Sequence, residues 1–188
     1  MITTPRRFVL RDGTWPLHQK LDALIGPLSD LQAYRRYLVS VGQLRMGVEA
    51  SLSPIQWPSF FENWRPTFLR APLQADMHDL QVSCKSHATI KSPGSVSELL
   101  GMLYVLEGSA LGARILVKQA ASLNLTSSFG ARHLAVQTDV SNASWQTFLA
   151  LLEKAPAFDA QAAITSASKV FSFAMDEVMS IDHTVGIQ

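Results

Sequence analysis

His18 is the side chain whose type and setting most invite chemistry. It sits in Leu10-Arg-Asp-Gly-Thr-Trp-Pro-Leu-His18-Gln-Lys-Leu-Asp22, where Leu17 and Leu21 make its helical face apolar. A lone histidine there is either a satisfied core residue or a ligand, and a single imidazole is the usual axial ligand for haem iron. The second feature is Gly101-Met-Leu-Tyr-Val-Leu-Glu-Gly108-Ser-Ala-Leu-Gly112-Ala113. A glycine inside a helix costs about 1 kcal/mol relative to alanine, so three sacrifice about 3 kcal/mol of intrinsic propensity. Spacings of seven and four put them on one face, which something must approach closely. Another helix could do so, since small residues permit tight crossing; so could a flat ligand lying on bare backbone. Ser109 is no hydrolase nucleophile, because Gly-Ser-Ala-Leu-Gly is not a G-x-S-x-G elbow and lies in a helix.

These residues need helices to position them. Pro16 suits a first helical turn, so Gly13 and Pro16 predict a first helix starting near Thr14 and ending before Gly26-Pro27. A stripe of Tyr34, Leu38, Val41, Leu44 and Val48 predicts a second helix over 31–52. Pro54, Pro58 and Pro66 break the next stretch into short aromatic pieces carrying Trp57, Phe60, Phe61 and Trp64. A further helix fits 74–87. Ser95 with Glu98 makes a capping box, opening a helix of roughly 28 residues, about 42 Å long. The stretch 130–144 reads as a polar loop, and Trp145, Phe148, Leu149 and Leu152 mark a short helix. The last helix runs over 159–180. No sustained strand alternation is present. The expected fold is therefore all-α, a single domain over 1–188 of about seven helices.

Composition narrows the rest. Of 188 residues, 47% are hydrophobic, enough for a sizeable core, so the chain is not intrinsically disordered. Lys+Arg 16 against Asp+Glu 15 leaves a net charge of +1, so no global field attracts nucleic acid or an anionic membrane. One cysteine, Cys84, excludes a disulfide framework and multi-cysteine metal sites. With no signal peptide and no long apolar run, the expectation is a soluble, cytoplasmic protein.

Two segments together resemble the haem oxygenase family, specifically its bacterial, bacteriophytochrome-associated branch. Leu10-Arg11…Thr14…His18…Leu21-Asp22 is similar to the family's proximal helix, and Tyr104-Val-Leu-Glu-Gly-Ser-Ala-Leu-Gly112 to its distal helix. Leu69-Arg-Ala-Pro-Leu-Gln-Ala-Asp76 and Trp145…Phe148 add support. The resemblance implies a haem-oxygenase-like bundle with haem, both cofactor and substrate, between the proximal and distal helices. It implies oxidative opening of haem to biliverdin, CO and ferrous iron, using O2 and external electrons. His18 is then the axial ligand to iron, and Gly108, Ser109 and Gly112 form the catalytic distal face. Arg11, Thr14, Tyr104, Ala113 and Arg132 complete the implied haem-binding set, with Arg11 and Arg132 as partners for the propionates. Arg11 reaches His18's face only if the first helix extends that far back.

The implied partners are haem, an electron donor (a ferredoxin or reductase, or an ascorbate-like reductant), and a phytochrome as recipient of biliverdin. No G-x-G-x-x-G fingerprint is present, so reduction must come from outside the chain. Ala113 stands where a second glycine often occurs, and 132–139 lacks the aromatic and glycine residues of many members. The alternatives are a non-catalytic haem carrier or sensor on the same fold, and a bundle that uses its glycines only for packing. Cys84, His87, Asp76, His78 and Asp79 read as a polar surface rather than a metal site. His133, read as a loop residue, has no supported role.

Overall fold

The computed structural model describes residues 4–84 and 89–185; His87, and with it the Cys84–His87 pairing, lies outside them. Among the described residues there are six α-helices and one short 3-10 turn, with no named strand. The helices are α1 (Arg6–Ile25), α2 (Leu31–Leu52), α3 (Arg70–Asp79), α4 (Val96–Ser122), α5 (Arg132–Lys154) and α6 (Ala160–Val185), and the 3-10 turn spans Ser59–Phe61.

Sequence and structure agree where caps and stripes are strong. Asp30 caps α2, accepting the Ala33 N–H at 2.8 Å, and Ser95 caps α4, accepting from Glu98 N at 3.1 Å. Glu98 reaches back to the N–H of Gly94 at 2.7 Å, one residue before the expected partner. The aromatic pieces form core packing: Phe61 is fully buried and stacks against Trp64, which meets Phe148.

Three expectations fail. Helix α1 begins at Arg6, well before Thr14, and carries Pro16 inside it. An interior proline costs about 3 kcal/mol, and the burial of Leu10 and the packing of Gly13 beneath Ile164 work against that cost. The expected loop over 130–144 is mostly the front of α5. Its inward face presents His133 and Gln137 beside Leu134, so an apolar period was not visible there. Helix α3 spans Arg70–Asp79, starting before the expected 74; residues 80–84 are not helical, and the rest of the expected 74–87 lies outside the described residues. Two arginines cap helix C-termini across the bundle. Arg36 donates to the carbonyls of Leu24 and Ile25 and pairs with Asp182, while Arg6 donates to those of Leu152 and Ala155 at 2.7 Å.

Helix α6 organises the bundle, packing extensively on both α4 and α1. Two glycines allow this. A side chain on Gly101 would overlap the backbone of Ala163, and one on Gly13 would come within 2.7 Å of Ile164. The two helices are thus pinned to consecutive residues of α6. Beyond that pinch, Val170, Phe171, Ala174 and Val178 of α6 line a cavity together with the later turns of α1 and α4. By length and hydropathy α4 could cross a membrane, yet here its apolar residues supply much of the core.

Candidate haem site

The cavity has a volume of about 540 Å³, within the range of small-molecule and cofactor pockets. Helix α1 contributes Arg11, Thr14, Trp15, His18, Leu21 and Asp22. His18 Nδ1 lies 2.9 Å from Asp22 Oδ2, one helical turn on. A carboxylate only accepts, so Nδ1 carries a proton, and in the neutral ring the lone pair is on Nε2. The imidazole stacks on Trp15 at 5.6 Å and meets the edge of Phe171 at 6.0 Å. It is half exposed rather than sunk in a core, so the reading of His18 as a satisfied core residue does not hold. Thr14 is buried, and its hydroxyl donates to the carbonyl of Leu10 at 2.7 Å.

Helix α4 contributes Tyr104, Gly108, Ser109 and Gly112. The three glycines divide by neighbour. Gly101 serves helix packing; a side chain on Gly108 would meet the edge of Trp145 at 3.8 Å; one on Gly112 would meet nothing within 4 Å. Space left beside a glycine that no protein atom needs is what a flat ligand would require. Ser109 Oγ donates to the carbonyl of Leu106 at 2.7 Å, so its proton is committed to the helix while its oxygen can still accept. Tyr104 lies against Trp145 at 5.6 Å, and burial pushes its phenol above the ordinary value.

Arg11 lines the cavity because α1 extends back beyond it. It is exposed, paired with Asp12 at 2.8 Å and over the Phe8 ring. Two implied site residues lie elsewhere. Ala113 is buried in a second core with Leu38, Leu73 and Leu134 and is not among the cavity-lining residues. Arg132 also lies off the cavity, held by Asp76 at 3.1 Å and by a short contact to Asp79. With α5 formed, Arg132 belongs to its first turn, where the N–H groups of Arg132 and His133 both donate to Asp76.

Sequence reading missed the far wall on α2. Tyr37, Val41 and Arg45, four residues apart, all line the cavity. Arg45 is a buried guanidinium that donates to the carbonyl of Thr67 at 2.7 Å and lies 3.4 Å from Glu49. Glu49 in turn accepts the N–H groups of Leu69 and Arg70 at the start of α3. Burial holds Arg45 below the usual guanidinium range and raises Glu107, whose carboxylate accepts from Ser144 at 2.5 Å. The available signal was a charge on the apolar stripe, since Arg45 falls one turn after Val41. Behind Tyr37, fully buried His133 and Asp76 form a hydrogen-bonded pair at 2.8 Å. No group of three His, Cys, Asp or Glu able to hold a metal occurs among the described residues.

Comparisons with known proteins bear on the family and the fold. A family model described as "Heme oxygenase" matches residues 63–180. A 59-residue segment is 49% identical to "Heme oxygenase PigA" of Pseudomonas aeruginosa, spanning 31% of this chain and 30% of that protein. The fold matches a crystal structure of the NO- and CO-bound heme oxygenase of Neisseria meningitidis with a TM-score of 0.79 at 21% identity, over 95% of this chain and 92% of that one.

Proposed function

From the premise that this chain belongs to the haem oxygenase family, we propose that it binds haem between α1 and α4 and opens the ring to biliverdin, CO and ferrous iron. The observation that carries this reading is the pairing of two features in one cavity: an imidazole oriented by Asp22, and a glycine face with unfilled space at Gly112. When bound, haem supplies both the iron at which O2 is reduced and the carbon skeleton that is oxidised.

The chain's own residues do the positioning. His18 would coordinate iron through Nε2 while Asp22 holds Nδ1–H, an outer hydrogen bond that fixes ring orientation and raises ligand basicity. Gly108 and Gly112 would let the α4 backbone lie close to the porphyrin face and crowd O2 toward one edge. Trp145, Leu44 and Val48 exclude bulk water from that side. Ser109 Oγ can accept a hydrogen bond from water but has its own proton engaged, so it is no proton donor. Arg11, exposed at the cavity, would meet a propionate by a charge-assisted contact.

Electrons would come from a ferredoxin, a reductase or an ascorbate-like reductant. The biliverdin made would serve as phytochrome chromophore, in the cytoplasm. The alternative, a haem carrier or sensor without turnover, rests on Ser109's engaged proton. Trapping gas released when the hemin complex is reduced in air separates the two. The oxygenase reading expects about one CO per haem consumed, whereas a carrier releases none and retains its haem.

A further inference from the structure

Asp76 is fully buried between α3 and α5, and both its oxygens are filled. Oδ1 accepts the N–H of Arg132 at 2.9 Å and its guanidinium at 3.1 Å. Oδ2 accepts the N–H of His133 at 2.9 Å and lies 2.8 Å from His133 Nδ1. Burial works to raise the Asp76 carboxyl, but the hydrogen bonds from His133 and Arg132 outweigh it and hold the group below its ordinary value. Burial likewise pushes the His133 imidazole down, against the pull of Asp76. An ionised carboxylate beside a neutral imidazole leaves one arrangement, with the proton on Nδ1 and a lone pair on Nε2.

Nε2 lies 3.4 Å from the Tyr37 hydroxyl. A bare nitrogen can only accept, so Tyr37 must donate to it, and its phenolic oxygen is left as an acceptor. Tyr37 also lines the cavity, on the same α2 stripe as Arg45, whose guanidinium reaches the carbonyl of Leu106 in the α4 turn before Gly108. The stripe therefore borders the glycine face.

We infer that Asp76, His133 and Tyr37 form a hydrogen-bond chain of fixed direction that makes Tyr37 Oη an acceptor on the distal wall and seats a water there. Such a water spends one O–H on Tyr37 and points the other into the cavity as a donor. The chain thus supplies an acceptor of fixed direction on a wall of the cavity other than the one that carries Ser109, whose hydroxyl is bonded to Leu106. Asp76, His133 and Tyr37 are positioning residues: none touches haem, and no proton leaves them. Linked hydrogen bonds polarise one another, so the Asp76 charge is felt at the Tyr37 oxygen. This inference rests on the proposed function for its role, but the chain itself can be tested without haem.

Two measurements test it. In the haem-free protein, NMR of the imidazole nitrogens should find His133 as the Nδ1–H form at about pH 7 to 8, above the ordinary imidazole value. Tyr37→Phe keeps the ring and should shift the Nε2 signal toward that of an unbonded nitrogen. An imidazolium, an Nε2–H form, or an Nε2 signal that Tyr37→Phe leaves unmoved overturns the chain. In the hemin complex, Tyr37→Phe should bind haem as the wild type does yet open it roughly tenfold more slowly, the scale of an outer-shell loss. Ring opening at the wild-type rate overturns the role while leaving the oxygenase reading intact. If wild-type protein opens no haem, the oxygenase reading and the role fail together, and the NMR result alone decides whether the chain exists.

Discussion

Gly101 has no room for a side chain because Ala163 crosses it: a Cβ there would stand 3.0 Å from the Ala163 Cα and closer still to its carbonyl. Gly112, on the same helix, faces empty space. Alanine at the two positions should therefore have opposite effects. Gly101→Ala overpacks the α4–α6 crossing and should cost about 1–3 kcal/mol. Gly112→Ala should stabilise the haem-free protein by about 1 kcal/mol through helix propensity while weakening haem binding. Urea unfolding of both variants, with a hemin titration of the second, checks the contrast. Equal losses of stability would mean that Gly112 also serves packing.

Asp22 orients His18 without being a ligand. Asp22→Asn should keep the axial bond but weaken haem binding about tenfold, the low end for an outer-shell partner, since both side chains are half exposed. His18→Ala should abolish the native ferric spectrum, and added imidazole should restore part of it. Optical titration of both variants reads the difference. An Asp22→Asn complex indistinguishable from wild type in affinity and spectrum removes the orienting role.

Buried His133 should make the haem-free protein acid-sensitive. Its pKa in the folded state lies below the unfolded value of 6.5. As pH falls below that value, the unfolded chain takes up a proton that the folded one does not, so stability is lost toward the lower folded pKa. Asp76, also depressed, adds a second loss below 3.8. Glu107 and Glu177 act in the other sense: burial raises both above 4.5, so they lose stability as pH rises through their folded values. The test is a difference, the urea midpoint at about pH 7 minus that at about pH 5, in wild type and in His133→Gln. The drop should shrink in the variant, and an equal drop in both contradicts the assignment.

Arg11 is exposed at the rim and shares its charge with Asp12. Its contribution to holding a propionate should therefore be small. Arg11→Gln should weaken haem binding less than tenfold, an effect of the order of one exposed ion pair, about 0.2–1 kcal/mol. The loss should fade at high salt, where such pairs are screened. A large, salt-independent loss would place Arg11 in a buried role that its exposure does not suggest.

Legibility from sequence followed apolar periodicity and caps. The α2 stripe and the Ser95 cap placed their helices well, and the glycine run and His18 located the cavity walls. The far wall was obscured because its polar residues are satisfied only in three dimensions. Arg45 interrupts an apolar stripe, and its partners Glu49, Thr67 and Leu106 come from α2, from the connection before α3 and from α4. His133 looked like a loop residue because the carboxylate that allows its burial, Asp76, stands far upstream. Gly13 and Pro16 suggested a late start for α1, whereas Gly13 marks the place where α6 approaches it.

The most direct test of the central claim is a side-by-side hemin titration of wild type and His18→Ala, followed by ascorbate or a ferredoxin–reductase system in air. Wild type should form a one-to-one complex whose Soret band decays as a biliverdin band grows, and His18→Ala should neither give that spectrum nor turn over. A wild-type complex that survives repeated reduction, or no stoichiometric complex at all, would contradict the account.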